Sequence, residues 1–112
     1  MGGLMTDIIL VLVTAPTADK GAELARALVE EGLAACGNLL PGVRSIYRWE
    51  GRVHDEPEVL LVLKSRAPLF PALRERVVAR HPYQCPEVLR LDVADGHAPY
   101  LQWIVDSVRG RP

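Results

Sequence analysis

Five side chains of the 112-residue chain have the chemistry to hold a soft or borderline metal ion: Cys36, Cys85, His54, His81 and His97. A copper or zinc site needs three or four such donors on one point. Of these, His81 and Cys85 alone stand four residues apart, and Pro82 stops the helix between them, so convergence has to come from the fold. His81, Cys36 and Cys85 are the expected metal ligands. His81 stands just before Pro82 at a helix end, where a C-terminal cap favoured by the helix dipole is the structural alternative. For Cys36 the alternative is a small buried hydrophobe, the commoner role of an unpaired thiol. Cys85 follows His81 and Tyr83 at alternating positions, which share one side if the segment is extended. His54-Asp55-Glu56 reads as a ligand cluster only on paper, because neighbours on a strand point to opposite faces.

A second set combines rings and charges: Tyr47, Trp49, Lys64, Tyr83, Glu87 and Trp103. Gathered at a cleft between subunits, they would line a pocket for a small polar ligand. Interface packing uses the same residue types and is the plainer reading. Catalysis finds little support: there is no GxSxG, HExxH, phosphate loop or dinucleotide fingerprint, so neither an enzyme nor an organic cofactor is expected. The helix start after Thr14-Ala15-Pro16-Thr17, with Lys20 nearby, offers free N–H groups to an anion, as any helix start does.

Composition narrows the partners. The chain is 49% apolar and 24% charged with a net charge of -1, an ordinary globular balance. Its bases are interspersed with acids, so no stripe for nucleic acid exists. Ile8 to Val13 is too short to span a bilayer, and the residues before it lack the positive charge of a secretory signal, so no membrane association is expected. Met1-Gly2 with Thr6 fits an N-myristoylation pattern, although a frayed terminus is the simpler reading. Two isolated cysteines suit free thiols in a reducing, cytoplasmic compartment.

The elements that must position these residues run β, α, β, β, α, β, α in one domain over residues 1–112, with a core of about 8–108. Asp7 to Thr14 is apolar on both faces, the mark of a central strand covered on each side. Thr17 or Asp19 caps a helix whose Leu24, Ala25, Leu28 and Val29 recur at helical spacing until Gly32. Leu33 to Trp49 has strand character broken at Pro41-Gly42, which suggests a bulge on an edge strand. Glu50-Gly51 is a hairpin turn that sets Trp49 opposite Arg52 and Tyr47 opposite His54. Val59 to Leu63 is a second doubly apolar strand. A helix from Pro68, stopped by Pro82, buries Leu69, Phe70, Leu73, Val77 and Val78. Glu87 to Val93 returns as a strand, and Leu101, Ile104, Val105 and Val108 mark a closing helix.

Right-handed crossovers and one tight hairpin are satisfied by an α+β, ferredoxin-like split βαβ arrangement with an antiparallel sheet in the order 4-1-3-2. The two doubly apolar runs are then central. The second strand, an edge with Ile46, Tyr47 and Trp49, is too apolar and aromatic to be left bare, so a neighbouring copy should cover it. Edge two meeting edge four of the next copy is a head-to-tail contact that must close into a ring or run on as a filament; a ring of three is the compact solution, and physics alone leaves the ring number open.

VTAP at 13–16, AACGNLLPG at 34–42, SIYRWEG at 45–51, HPYQCPE at 81–87 and YLQW at 100–103 together give the chain a family likeness. It resembles the CutA divalent-cation tolerance family from Ile8 to about Val108. The resemblance implies a ferredoxin-like homotrimer associated with tolerance of copper and other divalent metal ions. It also implies a kinship of shape with trimeric nitrogen-regulatory signalling proteins, so a ligand-sensing or scaffolding trimer is the alternative. Copper ligands proposed for some members fall here on Val13, Arg80 and His81, so one of three is kept.

Overall fold

The computed structural model describes residues 6–110, and the myristoylation pattern at Met1-Gly2 lies outside the described residues. Four strands and three helices alternate as β1 (Ile8–Ala15), α1 (Ala18–Glu30), β2 (Cys36–Trp49), β3 (Arg52–Arg66), α2 (Phe70–Arg80), β4 (Leu89–Asp92) and α3 (Ala98–Ser107), with a single 3-10 turn, Ala67–Leu69, before α2. The sheet order is β2-β3-β1-β4 and every pairing is antiparallel, which is the expected 4-1-3-2 order read from the other edge.

Local chemistry sets the boundaries. The Thr17 side chain accepts the Lys20 N–H at 3.1 Å and so caps α1. Gly32 takes φ +72° just past the end of α1, where a left-handed residue lets its own N–H reach Val29 O and the Leu33 N–H reach Leu28 O. The β2–β3 hairpin turns on Glu50 and Gly51, both at positive φ, the backbone of a type I′ turn. A register shift between Leu40 and Val43 places the bulge at Pro41-Gly42. The expected hairpin pairs Trp49 with Arg52 and Tyr47 with His54 are present, and β3 runs unbroken from there through Val59–Leu63 to Arg66; its mostly polar first half, Arg52 to Glu58, pairs only with β2 in an arm that outreaches β1. β4 is shorter than expected, four residues instead of Glu87 to Val93.

The two faces of the sheet differ. On one, Ile9, Val11, Val13 and Ala15 of β1 and Val59, Leu61 and Leu63 of β3 are buried beneath Leu24, Ala25 and Leu28 of α1 and Leu73 and Val77 of α2. On the other, α3 covers only one end, with Ile104 and Val108 against Ile8 and Ala35. The remainder of that face is open. Leu10, Leu12, Leu60 and Val62 are half-buried there, and Leu89 and Leu91 of β4 are 55% and 46% exposed. The sequence expectation that β1 and β3 are covered on both sides therefore holds for one side of the protomer alone.

Asp7 and Arg66 tie the start of β1 to the end of β3 through a forked ion pair, with Arg66 Nη2 2.6 Å from Asp7 Oδ2. The Arg66 hydrogen bonds hold the Asp7 carboxyl below its ordinary value of 3.8. A depressed carboxylate stabilises the fold above its unfolded pKa and loses that contribution as pH falls through the folded one. Asp7 is 39% exposed, so solvent screens the pair. Asp7→Asn should cost about 0.5–1 kcal/mol at neutral pH and nothing once acid has protonated the wild-type carboxyl, as read by urea denaturation across a pH series.

Candidate functional site

Beyond the end of β1, the hairpin arm and the segment 81–87 enclose a groove of about 680 Å³ that opens on the uncovered side of the sheet. Its walls are Tyr47 and Trp49 from β2, Glu56 and Glu58 from β3, and Tyr83, Cys85 and Glu87 from the segment after α2. Alternation along the strands explains the convergence. Tyr47 and Trp49 share a face of β2, and Glu56 and Glu58 share the matching face of β3. Tyr47 stacks on His54 with ring centres 5.1 Å apart, and its hydroxyl donates to Glu56. Tyr83 donates to Glu58 at 2.7 Å.

These contacts make the groove acidic. Arg44 also lines it, but its guanidinium forks onto Asp55 at 2.8 and 2.6 Å. Among the described residues no cation forms an ion pair with Glu56, Glu58 or Glu87. Burial raises the Glu87 pKa from its ordinary value, and the nearby Glu58 charge raises it further. Burial and the hydrogen bond to Glu58 push the Tyr83 hydroxyl up as well.

His81 is placed differently from the sequence reading. It follows α2 as its C-cap residue, but the cap uses the backbone N–H, which donates to Val77 O at 2.9 Å. The ring turns inward, 8% exposed, and spans two chain segments. Nδ1 accepts the Tyr83 N–H at 3.1 Å, so that nitrogen carries no proton; Nε2 holds it and donates to Thr14 O at 2.7 Å. Both ring nitrogens are thus engaged, and the Tyr83 ring lies 4.6 Å from the imidazole. His81 pins the groove-bearing segment to β1.

The other expected ligands do not join it within one protomer. Cys36 pairs in register with Lys64, four positions along β3 from the Leu60 that pairs with Thr14, or roughly 13 Å along the sheet. It is half-buried, with Sγ 4.0 Å from Asn38 Oδ1. Cys85 is exposed at the groove rim, on a bent segment and not the extended one that would align it with His81 and Tyr83. Among the described residues no group of three His, Cys, Asp or Glu side chains is arranged to hold a metal ion.

The ring-and-charge set also divides. Tyr47, Trp49, Tyr83 and Glu87 line the groove, whereas Lys64 and Trp103 sit at the opposite end of the open face beside α3. There Lys64 Nζ donates to the Tyr100 hydroxyl at 3.2 Å and lies 5.5 Å from the ring centre, and Tyr100 stacks on Trp103 at 5.5 Å. Glu56, Glu58 and Tyr100 were absent from the sequence-based set. The i, i+2 spacing of the two glutamates on a strand was the available signal for the first pair, and the YLQW block for the tyrosine. Of the other candidates, Asp55 pairs with Arg44 while Glu56 turns to Tyr47, which is the divergence expected of adjacent strand residues. Lys20 near the α1 start pairs with Glu23 at 3.0 Å.

A four-stranded antiparallel sheet with two helices on one face, a third at the end of the other and a long β2–β3 arm over an acidic groove defines a ferredoxin-like α+β protein. The chain belongs to the CutA divalent-cation tolerance family, whose CutA1 divalent ion tolerance protein model matches residues 9–107. It is 48% identical over 98 residues to the divalent-cation tolerance protein CutA of Thermus thermophilus, covering 88% of this chain and 95% of that one. The chloroplastic protein CutA of Arabidopsis thaliana is 45% identical over 101 residues, which are 90% of this chain and 56% of the plant protein. The chain thus spans nearly all of the bacterial relative and about half of the plant one. The crystal structure of CutA1 from Oryza sativa superimposes with a TM-score of 0.91 at 42% identity, covering 95% of this chain and 97% of that one. The family description names a tolerance and not a reaction. No helix among the described residues is long and apolar enough to cross a membrane.

His81→Phe keeps a ring in place but strips partners from the Thr14 carbonyl and the Tyr83 N–H. It should cost about 1–3 kcal/mol of stability. The ring nitrogen shifts of the wild type, read by NMR at neutral pH, should show a proton on Nε2 and none on Nδ1.

Proposed function

We propose that the chain is a homotrimeric divalent-cation tolerance or response protein that binds copper or another divalent metal ion at or near clefts between subunits, without a catalytic step or an organic cofactor. The observation that carries this reading is the acidic groove, with its exposed Cys85 thiol, opening on an apolar sheet face that a protomer alone leaves bare. Membership of a family named for divalent-cation tolerance supports it. Because His81 spends both ring nitrogens internally, we assign it to holding the segment, and we assign the soft donors to Cys85 and to Cys36 of a neighbouring copy. A thiolate with flanking carboxylates suits copper or zinc better than magnesium or calcium. Two unpaired thiols fit a reducing compartment such as the cytoplasm.

Elemental analysis of protein purified without added metal or chelator, followed by calorimetric titration with copper and zinc, tests the metal. Cys85→Ser and Cys36→Ser should each weaken uptake at least tenfold, and His81→Phe should leave it within a few-fold of wild type. Equal uptake by the wild type and both cysteine variants, or none below millimolar metal, would dismiss metal binding at the cleft.

The size and aromatic walls of the groove favour a second reading, a trimer that senses a small ligand and reports to a partner protein. A ligand at a hundred times its dissociation constant adds about 2.7 kcal/mol of stability. A thermal-shift screen in which metabolites raise the melting temperature and metal ions do not would select this reading over the first.

A further inference from the structure

We propose that a hollow on the helix-covered side of the sheet binds the carboxylate of a small ligand with an apolar body. The hollow, of about 590 Å³, lies where the end of α1, the 3-10 turn, the outer face of α2 and the segment after α3 meet. Its floor is apolar, made by Leu33, Pro68, Pro71 and Ala72, and its rim carries Arg76, Arg109, Glu31 and Glu75. Leu33 and Ala72 pack into the core beneath α1 and α2, so the hollow lies on the opposite side of the sheet from the open face and the acidic groove. The inference is therefore independent of metal binding and of assembly.

Positive charge is in excess there. Arg76 holds Glu31, with Nε 2.9 Å from Oε1 and Nη2 2.9 Å from Oε2. Arg80 follows Arg76 by four residues on α2, so the two stand on one helix face. The Arg76 hydrogen bond lowers the Glu31 pKa from its ordinary value against a desolvation cost, and the charges of Arg76, Arg80 and Arg109 lower it further, so three guanidiniums act on one carboxylate. Arg80 and Arg109 form no ion pair among the described residues. Glu75 at the rim offsets one of these two charges and leaves the other uncompensated. A monoanion with apolar surface answers both the charge and the floor, and the guanidinium fork matches a carboxylate. Arg109 is set at the rim by its main chain, whose N–H donates to Gly32 O at 2.8 Å. Gly32 leaves room for it, because a Cβ there would stand 3.2 Å from both the N and the Cβ of Arg109. The left-handed glycine that ends α1 thus also fixes where this arginine enters the site.

Titration of the isotope-labelled protein with hexanoate, followed by amide NMR, tests the site. Saturable shifts are expected at Gly32, Ala72, Ala79 and Arg109. Acetate, which lacks the apolar body, should bind about tenfold more weakly. Arg109→Gln should weaken hexanoate by about threefold or more, whereas Glu31→Gln, which releases Arg76 from its partner, should tighten it by a similar factor. These opposite signs separate a ligand site from a merely structural cluster. Phenyl phosphate binding more tightly than benzoate would overturn the choice of a carboxylate. Hexanoate that gives no saturable shifts at the hollow, or that binds the wild type and Arg109→Gln alike, would overturn the site.

Discussion

The structure depends on one constraint: a four-stranded sheet apolar on both faces has helices enough to cover only one. Helices α1 and α2 bury the odd-numbered positions of β1 and those of β3 from Val59 to Leu63, and Val11, Val13, Leu61 and Leu63 have no exposed surface. The even-numbered positions meet α3 at one end and water elsewhere. Apolar area is driven from water at roughly 25 cal/mol per Å², so a face bearing Leu10, Leu12, Leu40, Leu60, Val62, Leu89 and Leu91 is costly to leave wet. The bare face, the edges of β2 and β4 that no strand among the described residues pairs, and the arm reaching past β1 are the surfaces that the proposed assembly would cover.

This constraint also explains the form of the site. The groove forms where the arm outruns β1 and the segment after α2 crosses beneath it, held by the His81 ring between Thr14 and Tyr83. One protomer therefore presents carboxylates and phenols at one end of its open face and a lysine with two stacked rings at the other.

Much of the fold was legible in the residues. Doubly apolar runs named the central strands, Thr17 and Gly32 bounded α1, and Pro41-Gly42 and Glu50-Gly51 located the bulge and the turn, since each depends on local backbone rules. The hairpin pairs of Arg52 and His54 were legible, but the unbroken length of β3 was not: Arg52 to Glu58 is mostly polar and becomes a strand only by pairing with β2. The grouping of the ring-and-charge residues was legible only in part. Tyr47, Trp49, Tyr83 and Glu87 do share a groove, yet Lys64 and Trp103 stand apart, because proximity across a sheet follows from register and not from sequence blocks. The inward turn of His81 escaped for a similar reason, as the Thr14 carbonyl that accepts its Nε2–H lies 67 positions away.

Sedimentation equilibrium over a wide range of concentrations tests the covered face most directly. The account predicts a single species near three times the 12.3 kDa protomer, persisting on dilution. A folded species of one protomer mass at high concentration, with its sheet face bare to solvent, would contradict it.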